Sequence, residues 1–501
     1  MLAGRLCEYG ALSVSAPPQQ KGLATASWVG PARAFIAPLA LAQFICSFAG
    51  SNMNVMINDI SRDLHTDVKG VQTTITLFLL IMAVLMIPCS KLTDRFGRKR
   101  CFTGGLVLYG IGTVLSAIAP NLGILILGNS VFQGVGTAFL IPPVYILTTL
   151  AFTSLESRAK AFGVISGMGG IGAAAGPLIG GVITSAISWR AAFVFQALIV
   201  AVIIFLSRRV TDPVAPDPKR PFDSVGAVLS GVGMFCVVFG ILQADTNKAL
   251  FIVFLAIGAA FLAGCYVYIR SRERAGKDAL LSTDLFRNRT SNLGLITQNM
   301  QWLLLMGVSF TVSVFLQTER HYSAIKTGVI FTAATLGILA SSLAAERMAS
   351  RRHQKTLIAA GFLVTAVGIG LLLGLVHASS SSAWAFAPGL LLIGLGLGVM
   401  LTPSVNIVQS AFPEQKQGEI SGLSRAVSNL GSSFGTAIAG TILVSNLVSG
   451  NGTYVAAMIV LAVVALAGLG VSFLLPVNPL PGADREVSAG ATATGALDPA
   501  V

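Results

Sequence analysis

Charged residues are scarce in this sequence. Only 11% of its 501 residues are Asp, Glu, Lys or Arg, whereas 54% are hydrophobic and the mean hydropathy is +0.79. A soluble domain carries about a quarter charged residues, because it has to cover its surface with them. The scarcity of charge therefore excludes a soluble fold of this size and predicts that the chain uses lipid as its solvent.

Sequence signs of metal, nucleotide or redox chemistry are also missing. There is no G-x-x-x-x-G-K-[ST] loop, which excludes an ATP-driven pump within this chain. The six cysteines have neither paired nor metal-ligand spacing, and the four histidines fall in loops without ligand spacing. We interpret the cysteines as small core residues. We expect no cofactor, no metal site and no enzymatic activity.

Acidic residues are outnumbered, so the net charge is +13. The basic residues lie in short loops between apolar runs, and anionic lipid headgroups and membrane topology explain them better than nucleic acid does. The expected partner is therefore a lipid bilayer and no nucleic acid. Residues 1–33 are polar without an apolar signal-peptide core, so we expect no cleavable signal peptide and a first span that acts as an uncleaved anchor.

What the sequence does contain is long apolar runs. A hydrocarbon core of about 30 Å takes about twenty helical residues, and weak alternation with frequent glycine favours helices over the shorter strands of a barrel. Fourteen runs qualify: 34–56, 71–90, 102–119, 123–147, 161–186, 191–206, 225–242, 250–269, 293–316, 325–345, 356–376, 383–411, 420–443 and 454–475. They predict an all-α polytopic membrane protein with 14 transmembrane helices in the cell membrane.

Lysine and arginine are distributed unevenly between alternate loops. The loops assigned to the inside, together with both tails, hold 26 of the 33 basic residues. Basic loops stay on the cytoplasmic side of a bilayer. Both termini are therefore predicted to be cytoplasmic.

A proline-rich segment, Arg208 to Asp223, follows the first six spans and opposes a continuous helix. A second polar connector precedes the last six spans. The predicted organisation is a cytoplasmic N-terminal tail (1–33), a six-helix bundle (34–206), a cytoplasmic linker (207–224), a two-helix hairpin (225–269), a cytoplasmic loop (270–291), a second six-helix bundle (292–475) and a disordered cytoplasmic tail (476–501).

The loop after the second span reads KLTDRFGRKR, Lys91 to Arg100. Apart from Ser90 before it, this stretch resembles the G-x-L-x-D-R-x-G-R-R/K signature of the major facilitator superfamily of transporters. The resemblance implies two six-helix bundles that rock around a central site, here with two extra helices between them. It also implies a conformational latch, formed by Asp94, Arg95, Gly97 and Arg98. A plain basic stop signal that only sets topology is the simpler alternative.

A weaker copy of this loop, LAAERMASRRHQK at 343–355, follows the second span of the later half and indicates an internal repeat. The fifth span contains a second motif. Its small residues allow close helix approach and its proline bends the helix. The motif looks like the G-x-x-x-G-P-x-x-G-G sequence of exporting family members, carried here by Gly172, Gly176, Pro177, Gly180 and Gly181. Trp189-Arg190 and Phe193 are similar to the W-R-x-x-F element of the same drug-exporter branches.

Several spans also carry polar residues. Amides in hydrocarbon are costly without partners, so we expect these side chains to face the bundle interior or a wet cavity. Interhelical contact is the alternative for each of them. The candidate substrate-cavity residues are Gln43, Ser47, Asn54, Asn129, Gln133, Asn299, Gln301, Trp302 and Asn406.

None of the twenty acidic residues falls in the middle of a span. A buried carboxylate is the usual proton carrier, and Asn52 stands where the fourteen-span drug/proton antiporters, which this chain resembles most, usually have an acid. The resemblance implies a monomeric exporter of a small organic compound or drug that is coupled to protons. The uncharged spans favour a facilitative or importing carrier of the same fold as an alternative. A membrane receptor or scaffold is the third hypothesis.

Overall fold

The computed structural model describes residues 31–152, 155–212, 215–218, 222–244, 246–277, 279–349, 353–378, 382–412, 416–444 and 452–476. These residues form helices, turns and bends, without a β-strand among them. The predicted tails, 1–33 and 476–501, lie almost entirely outside the described residues. The side chains of Asp94 and Glu346 also lie outside them.

Fourteen long helices account for most of the described residues. They are α1 (Pro31–Asn52), α2 (Val68–Phe96), α3 (Arg98–Ala117), α4 (Leu122–Ala151), α5 (Leu155–Ala186), α6 (Trp189–Ser207), α7 (Ser224–Gln243), α8 (Lys248–Arg274), α9 (Arg289–Glu319), α10 (Ala324–Ala349), α11 (Gln354–Ala378), α12 (Ala387–Gln409), α13 (Gln417–Val444) and α14 (Gly452–Phe473). Each matches one predicted apolar run, with ends that differ by a few residues.

Thirteen of these helices are individually long and apolar enough to cross a membrane. Helix α5 is the fourteenth, because its segments Gly163–Ala173 and Ala175–Ala186 pass the same test together and meet at 42°. Pro177 explains the bend, since its ring nitrogen cannot donate to the carbonyl of Ala173 four residues earlier. The prediction of an all-α protein with fourteen apolar spans is confirmed.

Two helix pairs join the first six helices to the last six. Helix α2 packs along α13, and α5 packs along α10. Within the first six, α1 packs on α5 and α3 on α4; within the last six, α9 packs on α13 and α12 on both α10 and α11. Helices α7 and α8 form a hairpin, of which α7 contacts α2 and α13. The interface between the two sets of six is therefore built mainly from α2, α5, α10 and α13, with smaller contacts from α4 to α13 and from the turn that follows α1 to α9 and α10.

Two helices contain π-helical segments that the apolar pattern does not predict. One is Ile126–Gln133 in α4 and the other is Phe315–Glu319 at the end of α9. Such segments often occur at functional sites, because they redirect side chains out of the regular helical register. Here they contain Asn129, Gln133 and Gln317.

Candidate functional site

The signature loop forms a tight turn between α2 and α3. Gly97 has φ +96°, a conformation that costs an L-amino acid free energy but not glycine. The backbone N–H groups of Arg98 and Lys99 then donate to one carboxylate oxygen of Asp212, at 2.7 and 3.3 Å. A carboxylate at a helix N-terminus is favourable, because it meets unpaired N–H groups and the positive end of the helix dipole. Asp212 thus ties the linker after α6 to the signature loop.

An ion pair joins the two halves at the same end of the molecule. Lys91 Nζ of α2 lies 2.5 Å from Glu419 Oε1 of α13. The second carboxylate oxygen of Glu419 accepts a hydrogen bond from the backbone N–H of Ser282, at 3.3 Å. We call Lys91, Glu419 and Ser282 the loop-end clasp, because they connect α2, α13 and the 270–291 connector beside the signature loop.

A second set of contacts joins the halves at the opposite end. There α1 ends at Asn52, and a 3₁₀ turn (Met53–Val55) leads into a short helix (Ile57–Asp63). Gln317 of α9 donates from Nε2 to the carbonyl of Asn54 at 2.7 Å and accepts from the N–H of Asn58 at 3.1 Å. Asn58 Nδ2 donates in return to the Gln317 carbonyl. We call Asn54, Asn58 and Gln317 the far-end clasp.

The far-end clasp has a physical reason to exist. A break in a helix leaves backbone groups without intrahelical partners, and these are costly within a protein core or a bilayer. Gln317 is 1% exposed, and its amide supplies both the donor and the acceptor that the broken end of α1 lacks. The clasp therefore stabilises this α1 conformation only while the two halves are in contact.

The fifth-span motif divides its small residues between two neighbours. Gly172 and Gly176 face α1, where an added Cβ would overlap the Phe44 carbonyl oxygen and the Ser51 hydroxyl, respectively. At Gly181 an added Cβ would lie 2.5 Å from the carbonyl oxygen of Ala324 in α10. The motif thus packs α5 against its own half and against the other half at once.

Gly180 also faces α1, where an added Cβ would lie 3.1 Å from the Cβ of Asn52. Asn52 is fully buried, and neither side-chain atom has a hydrogen-bond partner among the described residues. An unpartnered buried amide costs about 1–3 kcal/mol. The position to which the family resemblance assigns an acid is therefore an unpartnered amide between α1 and α5.

A chain of hydrogen bonds crosses from α13 to α1. Arg425 Nη2 donates to the hydroxyl of Tyr145 in α4, and the guanidinium carbon lies 4.7 Å from the centre of the Tyr145 ring. The Tyr145 hydroxyl donates to Gln43 Oε1 at 3.3 Å, and Gln43 Nε2 donates to Ser47 Oγ at 3.3 Å. We call these four residues the Arg425 relay. It joins both halves through one cation and two residues predicted for the cavity.

The other predicted cavity residues lie outside this relay. Asn129 and Gln133 are fully buried, and Gln133 donates to Ser116 of α3 at 3.4 Å. The Asn54 side-chain oxygen is buried without a partner among the described residues, although the backbone carbonyl of Asn54 belongs to the far-end clasp. These three amides therefore contact helices rather than the relay.

In α9, the amide of Asn299 donates to the Val427 carbonyl at 3.0 Å, which joins α9 to α13. Gln301 is buried and donates to the Leu397 carbonyl of α12 at 3.1 Å. Trp302 is half-buried and Asn406 is exposed. Asn299 is half-buried like Trp302, so of the α9 and α12 candidates only Gln301 lies fully in the protein core.

Trp189 and Arg190 connect the start of α6 to neighbouring segments at one end of the first half. Trp189 Nε1 donates to Asp63 Oδ2 at 3.0 Å, and the Arg190 guanidinium forms an ion pair with the same oxygen. Arg190 also donates to the carbonyl of Ala119 at 2.9 Å. The hydrogen bonds from Arg190 and then from Trp189 lower the pKa of Asp63 below its ordinary value, because they stabilise the carboxylate. The W-R-x-x-F element therefore ties α6 to the ends of the short helix and α3.

Two sets of six apolar helices and a two-helix hairpin, with polar contacts across the interface between the two sets, are the architecture of a polytopic membrane transporter. The match to known proteins is of the same class. The chain belongs to the Major Facilitator Superfamily, whose family model matches residues 39–283 and 294–497. It is accordingly a multi-pass cell-membrane protein and a transporter rather than an enzyme.

Curated relatives cover most of the chain. A puromycin resistance protein of Streptomyces alboniger is 28% identical over 80% of this chain and 80% of its own length. A multidrug resistance protein of Mycobacterium tuberculosis is 26% identical over 78% of this chain and 72% of its own. A riboflavin transporter of Clostridioides difficile is 26% identical over 82% of this chain and 88% of its own.

Arg425, the cation of the Arg425 relay, is not among the site residues predicted from the sequence. Arg425 is visible in the sequence as a charge inside a span, and an ionisable residue in a membrane helix is by default a functional candidate. Tyr145 and Asn58 gave no such signal, because a tyrosine and an asparagine near helix ends are ordinary. Their roles depend on partners 280 and 259 residues away.

Proposed function

We propose that the protein is a secondary active transporter that exports a small organic compound or drug by alternating access. The observation that carries this proposal is the pair of clasps at opposite ends of one interface. In alternating access, one end of the interface opens while the other stays closed. The loop-end clasp and the far-end clasp are hydrogen-bonded contacts that such a motion would break in turn, with the signature-loop residues Asp94, Arg95, Gly97 and Arg98 as the adjoining latch.

Export is the direction that the sequence motifs and the relatives favour. The fifth-span motif resembles that of exporting members, and two of the relatives are named for resistance to puromycin or to several drugs. Cargo would contact Gln43 and Ser47 of the relay, together with Trp302 and Asn406. We place both termini on the cytoplasmic side, with the protein as a monomer.

Proton antiport is the proposed source of energy, by analogy with the drug/proton antiporters that the chain resembles. The second candidate is a facilitative or importing carrier of the same fold. It is favoured by the absence of any Asp or Glu from the middle of the fourteen spans, since a buried carboxylate is the usual proton carrier.

Counterflow in proteoliposomes tests the function. Vesicles preloaded with unlabelled compound would be diluted into the labelled form, using puromycin and riboflavin as the first probes, at pH 6 and pH 8. Empty liposomes give the background rate. We expect protein-dependent exchange of at least one organic probe, whereas failure across a broad compound panel would support the receptor or scaffold hypothesis instead.

The energy source needs a second measurement on the same vesicles. With an imposed pH gradient, an antiporter concentrates its cargo against a gradient, and a protonophore abolishes that accumulation but leaves counterflow intact. A facilitative carrier equilibrates its cargo at the same rate with or without the protonophore. Equal behaviour in both conditions would therefore reject proton antiport while retaining transport.

A further inference from the structure

Among the described residues, Arg425 is the charged residue that lies deepest in a long helix, at the ninth position of α13. It is about 9 Å along the helix axis from Glu419, at 1.5 Å per residue. A guanidinium stays protonated at physiological pH. A permanent positive charge is therefore held inside α13, at the interface between the two halves.

No carboxylate of the described residues neutralises this charge. The nearest acid along α13 is Glu419, and its two oxygens contact Lys91 and the N–H of Ser282. The contacts of Arg425 are instead with the hydroxyl and ring of Tyr145. A neutral hydroxyl and a cation–π contact compensate a buried charge only in part. Among the described residues the charge of Arg425 is thus compensated only in part, which leaves the guanidinium able to bind an anion.

The geometry suits an organic acid. A guanidinium has five N–H donors arranged as a planar fork that matches both oxygens of a carboxylate. Tyr145 accepts from Nη2, which leaves the other guanidinium N–H groups of Arg425 for a ligand, and the residue as a whole is half-buried. The Tyr145 ring beside the guanidinium offers a flat apolar face for the body of the ligand.

We propose that Arg425 is the anion anchor of the cargo site, and that the transported compounds are organic anions with a carboxylate or similar acidic group attached to a flat apolar body. The acidic group replaces the Tyr145 hydroxyl on the guanidinium. This proposal rests on the proposed transport function, because it names the chemical class of the cargo. The same charge could also hold the phosphate of an anionic lipid, which the experiment distinguishes.

The test is binding to protein in nanodiscs of pure phosphatidylcholine, measured by fluorescence anisotropy at pH 7.4. The probes are fluorescein, an anion, and rhodamine 123, a cation built on the same three-ring system. We expect the wild type to bind fluorescein and Arg425→Gln to weaken that binding at least tenfold. Arg425→Lys should fall between them, because it keeps the charge but loses the planar fork. The binding of rhodamine 123 should not weaken in either variant.

Two further variants keep the test informative. Arg289→Gln removes a positive charge from an exposed residue at the start of α9 and should leave the affinity for fluorescein unchanged. Tyr145→Phe removes the hydroxyl that competes for Arg425, together with its 3.3 Å hydrogen bond to Gln43, and keeps the ring, so it should tighten fluorescein binding several-fold. If Arg425→Gln does not fold, Arg425→Lys and Tyr145→Phe still give these opposite shifts.

Equal fluorescein affinity in the wild type and Arg425→Gln, or no binding of fluorescein to the wild type, overturns the proposal. So does the loss of fluorescein binding when phosphatidylglycerol is added to the nanodiscs, since the site would then belong to lipid. Transport separates this proposal from the proposed function. If Arg425→Gln exports rhodamine 123 at the wild-type rate and binds fluorescein with the wild-type affinity, the anion site is rejected and the export function is retained. If fluorescein binding depends on Arg425 but no compound is transported, the anion site is retained and the export function is rejected.

Discussion

Gly172 sets the distance between α1 and α5. Its neighbour is the carbonyl oxygen of Phe44, which is backbone and cannot rotate away as a side chain can. A single methyl group there must push two helices apart. The glycines of the same helix differ in this respect, since an added Cβ at Gly170 has nothing within 4 Å.

Replacing Gly172 with Ala should therefore destabilise the protein by about 1–3 kcal/mol, the usual cost of overpacking. Thermal unfolding in detergent, followed by tryptophan fluorescence, measures the change. Gly170→Ala is the matched control and should be neutral or slightly stabilising, because Ala is the better helix former. Equal melting temperatures for Gly172→Ala and the wild type would show that α1 and α5 are not closely packed.

Asp63 and Asp59 lie on one short helix and have opposite pKa shifts. Hydrogen bonds from Arg190 and Trp189 lower the pKa of Asp63, whereas desolvation raises the pKa of Asp59. Ionised Asp63 therefore adds stability that is present above its ordinary pKa of 3.8 and is lost as pH falls through the lowered value. Asp59 stabilises the fold when protonated, and this contribution is lost as pH rises through its raised value.

At pH 6, Asp63→Asn should lower the melting temperature, by the equivalent of about 1 kcal/mol or less because the pair is partly exposed. Asp59→Asn should raise it or leave it unchanged. The difference for Asp63→Asn should shrink as the pH falls below 3.8, whereas the difference for Asp59→Asn should shrink at higher pH, as the pH falls through the raised pKa of Asp59 towards 3.8. If the difference in melting temperature between Asp63→Asn and the wild type stays constant as the pH falls below 3.8, the charge of the Asp63 carboxylate does not contribute to its contacts with Trp189 and Arg190.

At the scale of helices, the break at the end of α1 couples folding of that segment to closure of the interface. The apolar pattern predicts one continuous span over 34–56, but the helix ends at Asn52 and the chain turns before Ile57. Hydropathy does not detect this break, since Met53, Val55, Met56 and Ile57 continue the apolar run around Asn52 and Asn54. The amide of Gln317 compensates the break by hydrogen bonding to the backbone of Asn54 and Asn58. The sequence contains no sign of this pairing.

Gln317→Ala removes two hydrogen bonds of the far-end clasp, together worth about 1–3 kcal/mol. We expect a larger population with the far end open. Distances between spin labels at the exposed positions Arg62 and Ser323 should gain a longer component. Thr318→Val is the matched control, because the Thr318 hydroxyl bonds Tyr454 within the same half at 2.8 Å. A distance distribution unchanged by Gln317→Ala would mean that the clasp does not hold this end closed.

The loop-end clasp allows a charge-exchange test. Lys91→Glu or Glu419→Lys alone places like charges where the structure has a 2.5 Å ion pair, so each should open this end and slow transport several-fold. The double exchange should recover most of the rate. Lys416→Glu is the control: it breaks the 2.9 Å pair with Asp284 of the 270–291 connector, a pair that does not join α2 to α13, and should leave spin-label distances between Phe96 and Arg289 unchanged. If the double exchange does not restore the transport rate, the ion pair between Lys91 and Glu419 does not control the opening of this end.

For the whole molecule, the distribution of Lys and Arg predicts an even number of crossings with both ends in the cytoplasm. The five described cysteines are all buried, so they should contribute little to labelling by a membrane-impermeant maleimide. Arg62→Cys and Arg289→Cys introduce thiols at exposed positions on opposite ends. We expect the first to react in intact cells and the second only after permeabilisation. The reverse pattern, or reaction of both, contradicts the predicted topology.

The family, the fourteen spans and most of their ends follow from the amino-acid sequence read locally. The free energy of transferring a helix into lipid is close to a sum over its consecutive residues. A run such as 454–475 can therefore be identified as a span without knowledge of its neighbours in the fold. The motifs around Asp94 and Gly176 are likewise contiguous. Local terms of this kind need no tertiary structure.

The pairing of polar side chains is not a local property. Arg425 meets Tyr145 across 280 residues, and Gln317 meets Asn58 across 259. These contacts depend on how each helix is rotated and where it crosses its neighbour, which close packing of many side chains settles together. Hydropathy is nearly blind to such rotation when a helix is apolar all round. The relay and the two clasps, and with them the proposed cargo site and gates, therefore became visible only when the helices were packed together.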